Sequence, residues 1–223
     1  MSEENVSAPL SSRKIRSLYD ILSPFYNLIT SYEAGAQKKA LEIADIREGA
    51  KVLEVGFGTG KNLSKCAKKV GNTGKVYGID ISSKMLNRAR RSIRDCDLSE
   101  RTDLVLGDAG EEPFLESSFD VIFSSYVLDL IDTPNIPRIL SEFKRLLKPG
   151  GRVILVSLTK GSKWFDNMKL YEWIYTHSPS LLGGCRPITL ARYLQQSGFR
   201  HIGKEFVRAG FLMPTEIAWA DKE

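Results

Sequence analysis

Apolar positions along the chain follow two alternating rhythms. Short runs rich in β-branched residues, apolar almost throughout, give way to stretches where apolar residues recur every three or four positions. This alternation marks βαβ units, because a parallel strand is covered on both faces by the helices that link it to its neighbours. It predicts strands at Lys51 to Val55 (KVLEV), Lys75 to Asp80 (KVYGID), Asp103 to Leu106, Phe119 to Ser124 (FDVIFS) and Arg152 to Thr159 (RVILVSLT). Between them it predicts helices over Asn62 to Val70, Ser83 to Ile93 and Ile136 to Leu147, the last stopped by Pro149-Gly150-Gly151. The rhythm loosens in an aromatic segment, residues 160–186, then returns as a helix near Thr189 to Gly198 and strands around His201 to Val207 and Ile217 to Ala220. Ahead of the first strand, Ile15, Leu18, Ile21 and Leu22 stand at helical spacing, so Ser11 to Ile46 is expected to form one or two helices broken at Pro24. The pattern gives a single α/β unit: a helical cap over residues 1–46 and a doubly wound domain over 47–223, whose long 160–186 loop is a candidate for substrate contact.

Composition narrows the class. A chain of 223 residues, 42% hydrophobic and 26% charged, has enough apolar mass for a core without metal or disulfide support. Its net charge of +5 is too small and too scattered to imply nucleic acid as a partner. Cys66, Cys96 and Cys185 form no C-x-x-C pair, so neither a zinc site nor a disulfide framework is signalled and no metal is expected. The longest uncharged stretch, Trp173 to Cys185, is interrupted by Pro179 and glycines and falls short of the roughly 18 residues a spanning helix needs. The polar start, Met1 to Pro9, reads as a frayed cytosolic terminus. The expectation is a cytoplasmic protein, with peripheral contact to an anionic membrane as a further option. Arg88, Arg90, Arg91 and Arg94 would supply that contact, or else form an ordinary solvated helix face.

The chemistry concentrates at Glu54-Val55-Gly56-Phe57-Gly58-Thr59-Gly60, directly after a strand and before a helix. Glycine suits such a turn because the backbone must adopt positive φ and let a ligand approach the main chain. Lys61 breaks the G-x-G-x-x-G spacing of dinucleotide folds, and no G-x-x-x-x-G-K-[ST] loop exists, so a pyrophosphate ligand is disfavoured. Asp80 ends the second strand, where a carboxylate at the open edge of the sheet's switch point can accept hydrogen bonds from a ribose diol; a helix cap is its plainer role. Asp108, ending the third strand's turn, could accept a hydrogen bond from an adenine amino group. Together they suit an adenosine ligand.

EVGFGTG, YGIDIS, and LGDAGEEPF with FDVIFS resemble the successive signatures of the seven-stranded (class I) S-adenosylmethionine methyltransferases over residues 51–159. The resemblance implies a Rossmann-like, mostly parallel sheet of order 3-2-1-4-5-7-6 with helices on both faces. Its cofactor would be S-adenosyl-L-methionine, leaving as S-adenosyl-L-homocysteine. The resemblance places the cofactor's carboxylate and amine near Glu54, Gly56 and Gly60, its ribose on Asp80, and its adenine between Ile81 and the Asp108-Ala109 turn. Gly58, Met85 and Ser124 complete the implied set, with Tyr19 folding over the cofactor and Tyr26 as its partner. YD-x-x-S-x-x-YN at Tyr19 to Asn27 is similar to the ubiquinone/menaquinone-biosynthesis C-methyltransferases and their phospholipid N-methyltransferase relatives. GGCRPI at Gly183 to Ile188 and the FLMPTEIAWADK tail look closer to the phospholipid and archaeal members.

The implied acceptor is a small or lipid-like molecule, either a prenylquinone precursor ring carbon or a phospholipid amine. A neutral amine needs little base help, whereas a quinol carbon or phenol oxygen must lose a proton, and Tyr126, Asp129 and His177 are the candidates to take it. Asp129 reads equally as a helix cap, and His177 as a polar surface residue. Trp164, Phe165, Tyr171, Trp173 and Tyr175 either line a lipid or quinone pocket or form an amphipathic helix on the sheet. Two other functions compete: a nucleic-acid methyltransferase, and a cofactor-binding protein without methyl transfer. Against the first, Ser124-Ser125-Tyr126-Val127 lacks the [DNS]-P-P-[YFW] turn of adenine N-methylating enzymes, and no Cys follows a Pro.

Overall fold

Strands form where the apolar runs fall, in an order the chain reaches by doubling back. The structure, a computed structural model, describes residues 11–22, 31–108, 110, 114–159, 177, 184–209 and 213–223. Its strands are β1 (Lys51–Val55), β2 (Lys75–Asp80), β3 (Thr102–Leu106), β4 (Phe119–Ser125), β5 (Leu147–Leu158), β6 (Arg200–Ala209) and β7 (Met213–Asp221). Its helices are α1 (Ser12–Leu22), α2 (Ala34–Ile43), α3 (Lys61–Lys69), α4 (Ser83–Asp95), α5 (Ile136–Leu146) and α6 (Leu190–Gln196). The sheet order is β3-β2-β1-β4-β5-β7-β6, as the resemblance implies. β1 to β5 pair in parallel, and β7 runs antiparallel to both β5 and β6.

Strand alternation sorts the core into two layers. On one face Val52, Val121, Phe123, Ile154 and Val156 meet α2, α3 and α4 through residues such as Ala40, Leu63 and Ala89. On the other, Leu53, Val55, Ile122, Val153 and Leu155 meet α5 and α6 through Ile139, Phe143 and Leu194. Both faces are covered, which is why these strands read as nearly continuous apolar runs. Because β1 lies between β2 and β4, the chain winds outward in opposite directions from this pair. The crevice beyond their carboxyl ends is therefore the topological switch point.

Two strand starts differ from expectation: β7 begins at Met213, ahead of the expected Ile217, and β5 at Leu147, ahead of Arg152. Pro149-Gly150-Gly151 does stop the helix, but no loop follows: Leu147 already pairs with Phe119, and the register shifts before Val121 pairs with Arg152. The Pro-Gly-Gly run is an irregularity inside β5, with the Gly150 N–H donating to Lys222 O at 2.7 Å. The cap helix α1 is tied to the domain through Asp20, which accepts from Ser82 Oγ at 2.5 Å at the start of α4. Pro24 and the 160–176 aromatic segment lie outside the described residues. Among those described, no helix is long and apolar enough to cross a membrane.

Candidate active site

The β1–α3 turn opens toward the switch point. Gly56 sits at φ 73°, and a Cβ there would lie 2.2 Å from Val127 Cγ2, so only glycine lets the loop pass the end of β4. Gly60 is glycine for another reason: a Cβ would lie 3.0 Å from that of Ala89, so its bareness lets α3 pack on α4. The Gly58 N–H donates to Asp80 Oδ2 and the Ser82 N–H to Oδ1, both at 2.8 Å. Asp80 is consequently 9% exposed and clamped between two loops, not standing at an open edge as expected from its place at the strand end. Burial pushes its carboxyl up to about 6, Asp20 adds to the rise, and the two amide donors oppose it. The cap of α4 is Ser82, whose Oγ accepts from the Met85 N–H, so capping is not what Asp80 is for. Each of its oxygens keeps a further acceptor site.

Beside this clamp runs a cleft of about 710 Å³, open to solvent. Ile79, Ile81, Gly107 and Asp108 form one end, Ile15 and Tyr19 of α1 close it from above, and Ser125, Tyr126, Val127, Leu130 and Ile131 form the wall beyond β4. A smaller hollow shares Gly56, Gly58 and Ser125 with it and is otherwise lined by Gln37, Glu54, Lys61, Asn62 and their neighbours. There Glu54 is buried, its Oε2 has no hydrogen-bond partner among the described residues, and burial pushes its carboxyl well up. A buried carboxylate oxygen without a donor is rare in folded proteins and calls for a ligand's cation. The pieces suit an adenosine carrying an amino-acid chain: an acceptor for a diol, an apolar slot for a base, a glycine turn that admits a ligand to the main chain, and a carboxylate for an ammonium.

A cluster of buried polar residues lies behind the β4 end. Tyr126 holds a left-handed backbone (φ 54°), unusual for a bulky residue, secured by its N–H to Val156 O at 2.8 Å and its hydroxyl to Thr215 Oγ1 at 3.1 Å. Asp129 is fully buried in a 3₁₀ turn, so the cap reading fails: Oδ2 accepts from the Leu158 N–H at 3.4 Å and Oδ1 has no partner among the described residues. Burial lifts its carboxyl to about 7, against hydrogen bonds from Leu158 and Ser157 and the nearby Arg186. Arg186 is buried too, donating Nη2–H to Ile131 O at 2.6 Å. Glu33, from the cap, is 5% exposed, and burial and Asp129 lift it to about 8.

Other expected residues fall elsewhere. Met85 is packed in the core and Ser124 turns away to donate to Val55 O, because a strand alternates sides; its neighbour Ser125 faces the cleft. His177 is exposed and contributes to neither hollow, while Tyr26 and Ala109 lie outside the described residues. Pattern reading missed Ser125, Glu33, Gln37 and Arg186. Arg186 alone carried a signal, in the GGCRPI run. A second polar hollow, at the amino ends of the strands, has its charges paired internally, Lys148 with Asp120 and Arg152 with Asp221 at 2.7 Å each.

A seven-stranded sheet with β7 reversed, and a crevice at its switch point, define the class I methyltransferase architecture. Residues 52–151 match the protein family described as "Methyltransferase domain". The chain is 25% identical to the demethylmenaquinone methyltransferase of Listeria monocytogenes over 236 residues, covering 94% of this chain and 97% of that one. Among solved structures, a SAM-dependent methyltransferase from Aquifex aeolicus superposes with a TM-score of 0.63 at 23% identity, over 84% of this chain and 89% of that one. The [4+2]-cyclase SpnF superposes with a TM-score of 0.76 at 21% identity, over 100% and 99%. Residues 52–151 thus carry a methyltransferase domain, in a chain similar over nearly its whole length to a methyltransferase.

Proposed function

We propose that the protein methylates a ring carbon of a prenylquinone precursor of the demethylmenaquinol type. The observation that carries this is the fully buried Asp129, ionisable near neutral pH and with one oxygen unpartnered, behind the wall formed by Tyr126 and Leu130. A carbon nucleophile must shed a proton, so a base poised near pH 7 is useful to it, whereas an amine that arrives neutral needs little base help. Apolar lining by Ile15, Tyr19, Leu130 and Ile131 suits a lipid-like acceptor, and the full-length likeness to the Listeria enzyme supports the same choice.

S-adenosylmethionine supplies an electrophilic methyl on a charged sulfur. In this reading Asp80 accepts hydrogen bonds from its ribose, Glu54 holds its amino-acid end beside the glycine turn, and Ile81 and Asp108 border its adenine. Tyr19 covers the cleft and excludes water. The protein's task is to hold donor and acceptor about 3 to 3.5 Å apart, which can contribute roughly 7 to 11 kcal/mol. Peripheral membrane contact belongs to the same proposal: Arg13, Lys14 and Arg16 of α1, and Arg90, Arg91 and Arg94 of α4, are exposed on two helices joined through Asp20. Each basic residue near an anionic surface is worth about 1 kcal/mol. The protein is expected to sediment with phosphatidylglycerol vesicles but not with phosphatidylcholine ones, and to be released at high salt.

The deciding experiment offers labelled S-adenosylmethionine together with short-chain demethylmenaquinol and phosphatidylethanolamine. Label is expected in the quinol; label only in the amine lipid would defeat the carbon-acceptor reading.

A further inference from the structure

Glu33 reaches the site from the cap, the part of the chain that also lends Ile15, Tyr19 and Gln37 to the two hollows. It closes the 3₁₀ turn Ser31–Glu33 immediately before α2, with its carboxyl buried. Gln37, one helical turn later, donates Nε2–H to Glu33 Oε2 at 3.0 Å and reaches Ser125 Oγ at 3.4 Å. Ser125 stands on the wall shared by the cleft and the smaller hollow, so one side chain links Glu33 to the carboxyl end of β4. From the opposite side Asp129 brings a second buried carboxyl, whose Oδ1 has no donor among the described residues, and Arg186 leaves its Nε equally unpartnered. Two buried acids stand next to a ligand wall, and the Asp129 oxygen without a donor needs a proton or a ligand to complete it.

We infer that Glu33 and Asp129 act as one proton-holding pair at the acceptor end of the site, and that the proton released by the methylated carbon ends on it. The inference rests on the carbon-acceptor reading above. The step balances: the acceptor carbon gains the methyl, its C–H bond breaks with the electrons returning to the ring, and the proton neutralises the pair's one carboxylate while the sulfur leaves as an uncharged thioether. The groups around the pair fit this use. Tyr32 donates a hydrogen bond to Glu33 and Lys61 attracts it, while Arg186, Ser157 and the Leu158 N–H favour ionised Asp129. Tyr126 and Cys185 flank both acids, Tyr19 hydrogen-bonds Cys185, and burial keeps the phenol and the thiol uncharged. Burial lifts the two acids to about 8 and about 7, and Asp129 adds to the rise at Glu33, so near neutrality the pair holds one proton and one charge.

The test compares the parent with Glu33→Gln, Glu33→Asp and Asp129→Asn. The rate of label transfer to short-chain demethylmenaquinol is measured against pH, S-adenosylhomocysteine affinity by calorimetry, and melting temperature against pH. Glu33→Gln is expected to cut kcat by about 10² to 10³-fold while product-cofactor affinity stays within about twofold. Asp129 ionises first and then holds the proton on Glu33, so Asp129→Asn moves the titration of Glu33, read in the rate profile, to lower pH, while Glu33→Gln leaves the limb set by Asp129 in place; Glu33→Asp recovers part of kcat. Because the folded value of Glu33 lies above its ordinary 4.5, the folded state keeps an extra proton and stability drains away as pH rises from about 4.5 to about 8. Glu33→Gln is expected to flatten that decline. An Asp129→Asn rate profile that titrates no lower than about 8, or a Glu33→Gln melting profile unchanged in slope, overturns the pair. A parent that labels no quinol while the slope still flattens keeps the pair and overturns the acceptor.

Discussion

Asp80 has a duty toward the fold, and the proposed function gives it a second, toward the ligand. Its oxygens hold the Gly58 and Ser82 amides, so Asp80→Ala orphans two buried donors as well as removing the ribose acceptor. Hydrogen bonds to charged groups contribute about 1.5 to 3 kcal/mol each. Asp80→Ala is therefore expected to weaken S-adenosylmethionine by roughly 100-fold or more by calorimetry, and to lower stability by about 1 to 3 kcal/mol in urea denaturation. Unchanged urea midpoints would show that the clamp carries no load. Gly56 makes a sharper case. Gly56→Ala pays about 1 to 2 kcal/mol for a side chain at positive φ and drives a methyl into Val127. Adding Val127→Ala is expected to recover the packing part and leave the backbone part, a split that a double-mutant cycle in urea reads directly. Glycine's role at this turn was legible in sequence because it depends on the local backbone. Which of two adjacent serines faces the cleft was not, since it follows from where β4 sits in the sheet.

Strand and helix boundaries followed the apolar pattern closely because periodicity is enforced within each segment. The exceptions arise where one segment finishes another. β7 closes α6 in this way: Glu216, fully buried, accepts from the Leu190 N–H at 3.0 Å and the Ala191 N–H at 3.1 Å, supplying from a strand the cap that α6 lacks in its own sequence. Glu216→Ala is expected to destabilise by about 1 to 3 kcal/mol while leaving cofactor affinity unchanged, which melting and calorimetry check together. β5 shows the same dependence on neighbours. Pro149-Gly150-Gly151 reads as a break along the chain, yet pairing of Leu147 with Phe119 on one side and of Lys222 with Gly151 on the other recruits it into the sheet.

Several buried acids act in the same direction on overall stability. Glu33, Glu54, Asp80 and Asp129 all titrate above their ordinary values in the folded state, chiefly through burial. The folded chain thus binds protons the unfolded chain has released, and stability declines as pH rises from about 4 toward 8. Melting temperature is expected to be higher near pH 5 than near pH 8, and bound cofactor to offset part of the loss by mass action. A protein tolerates such acids where they are used, which agrees with their placement along the crevice. The sheet does not choose the chemistry it hosts: the superposition with SpnF, a [4+2]-cyclase, spans the whole chain. What separates one activity from another is the set of side chains behind β4 and in the cap.

Amino-acid order alone was enough for the doubly wound sheet, the glycine turn and the carboxylate ending β2, because apolar periodicity and positive φ are dictated within a few residues. The resemblance of these short runs to the methyltransferases carried the cofactor with it. Glu33, Gln37 and Ser125 stayed silent, as did the pairing of Glu33 with Asp129, since Gln37 and Ser125 are 88 positions apart and meet only when α2 packs against the sheet. Long-range contacts of this kind leave no local rhythm to read; folding brings the acids together, and burial then gives them the proton affinity that chemistry near neutral pH requires.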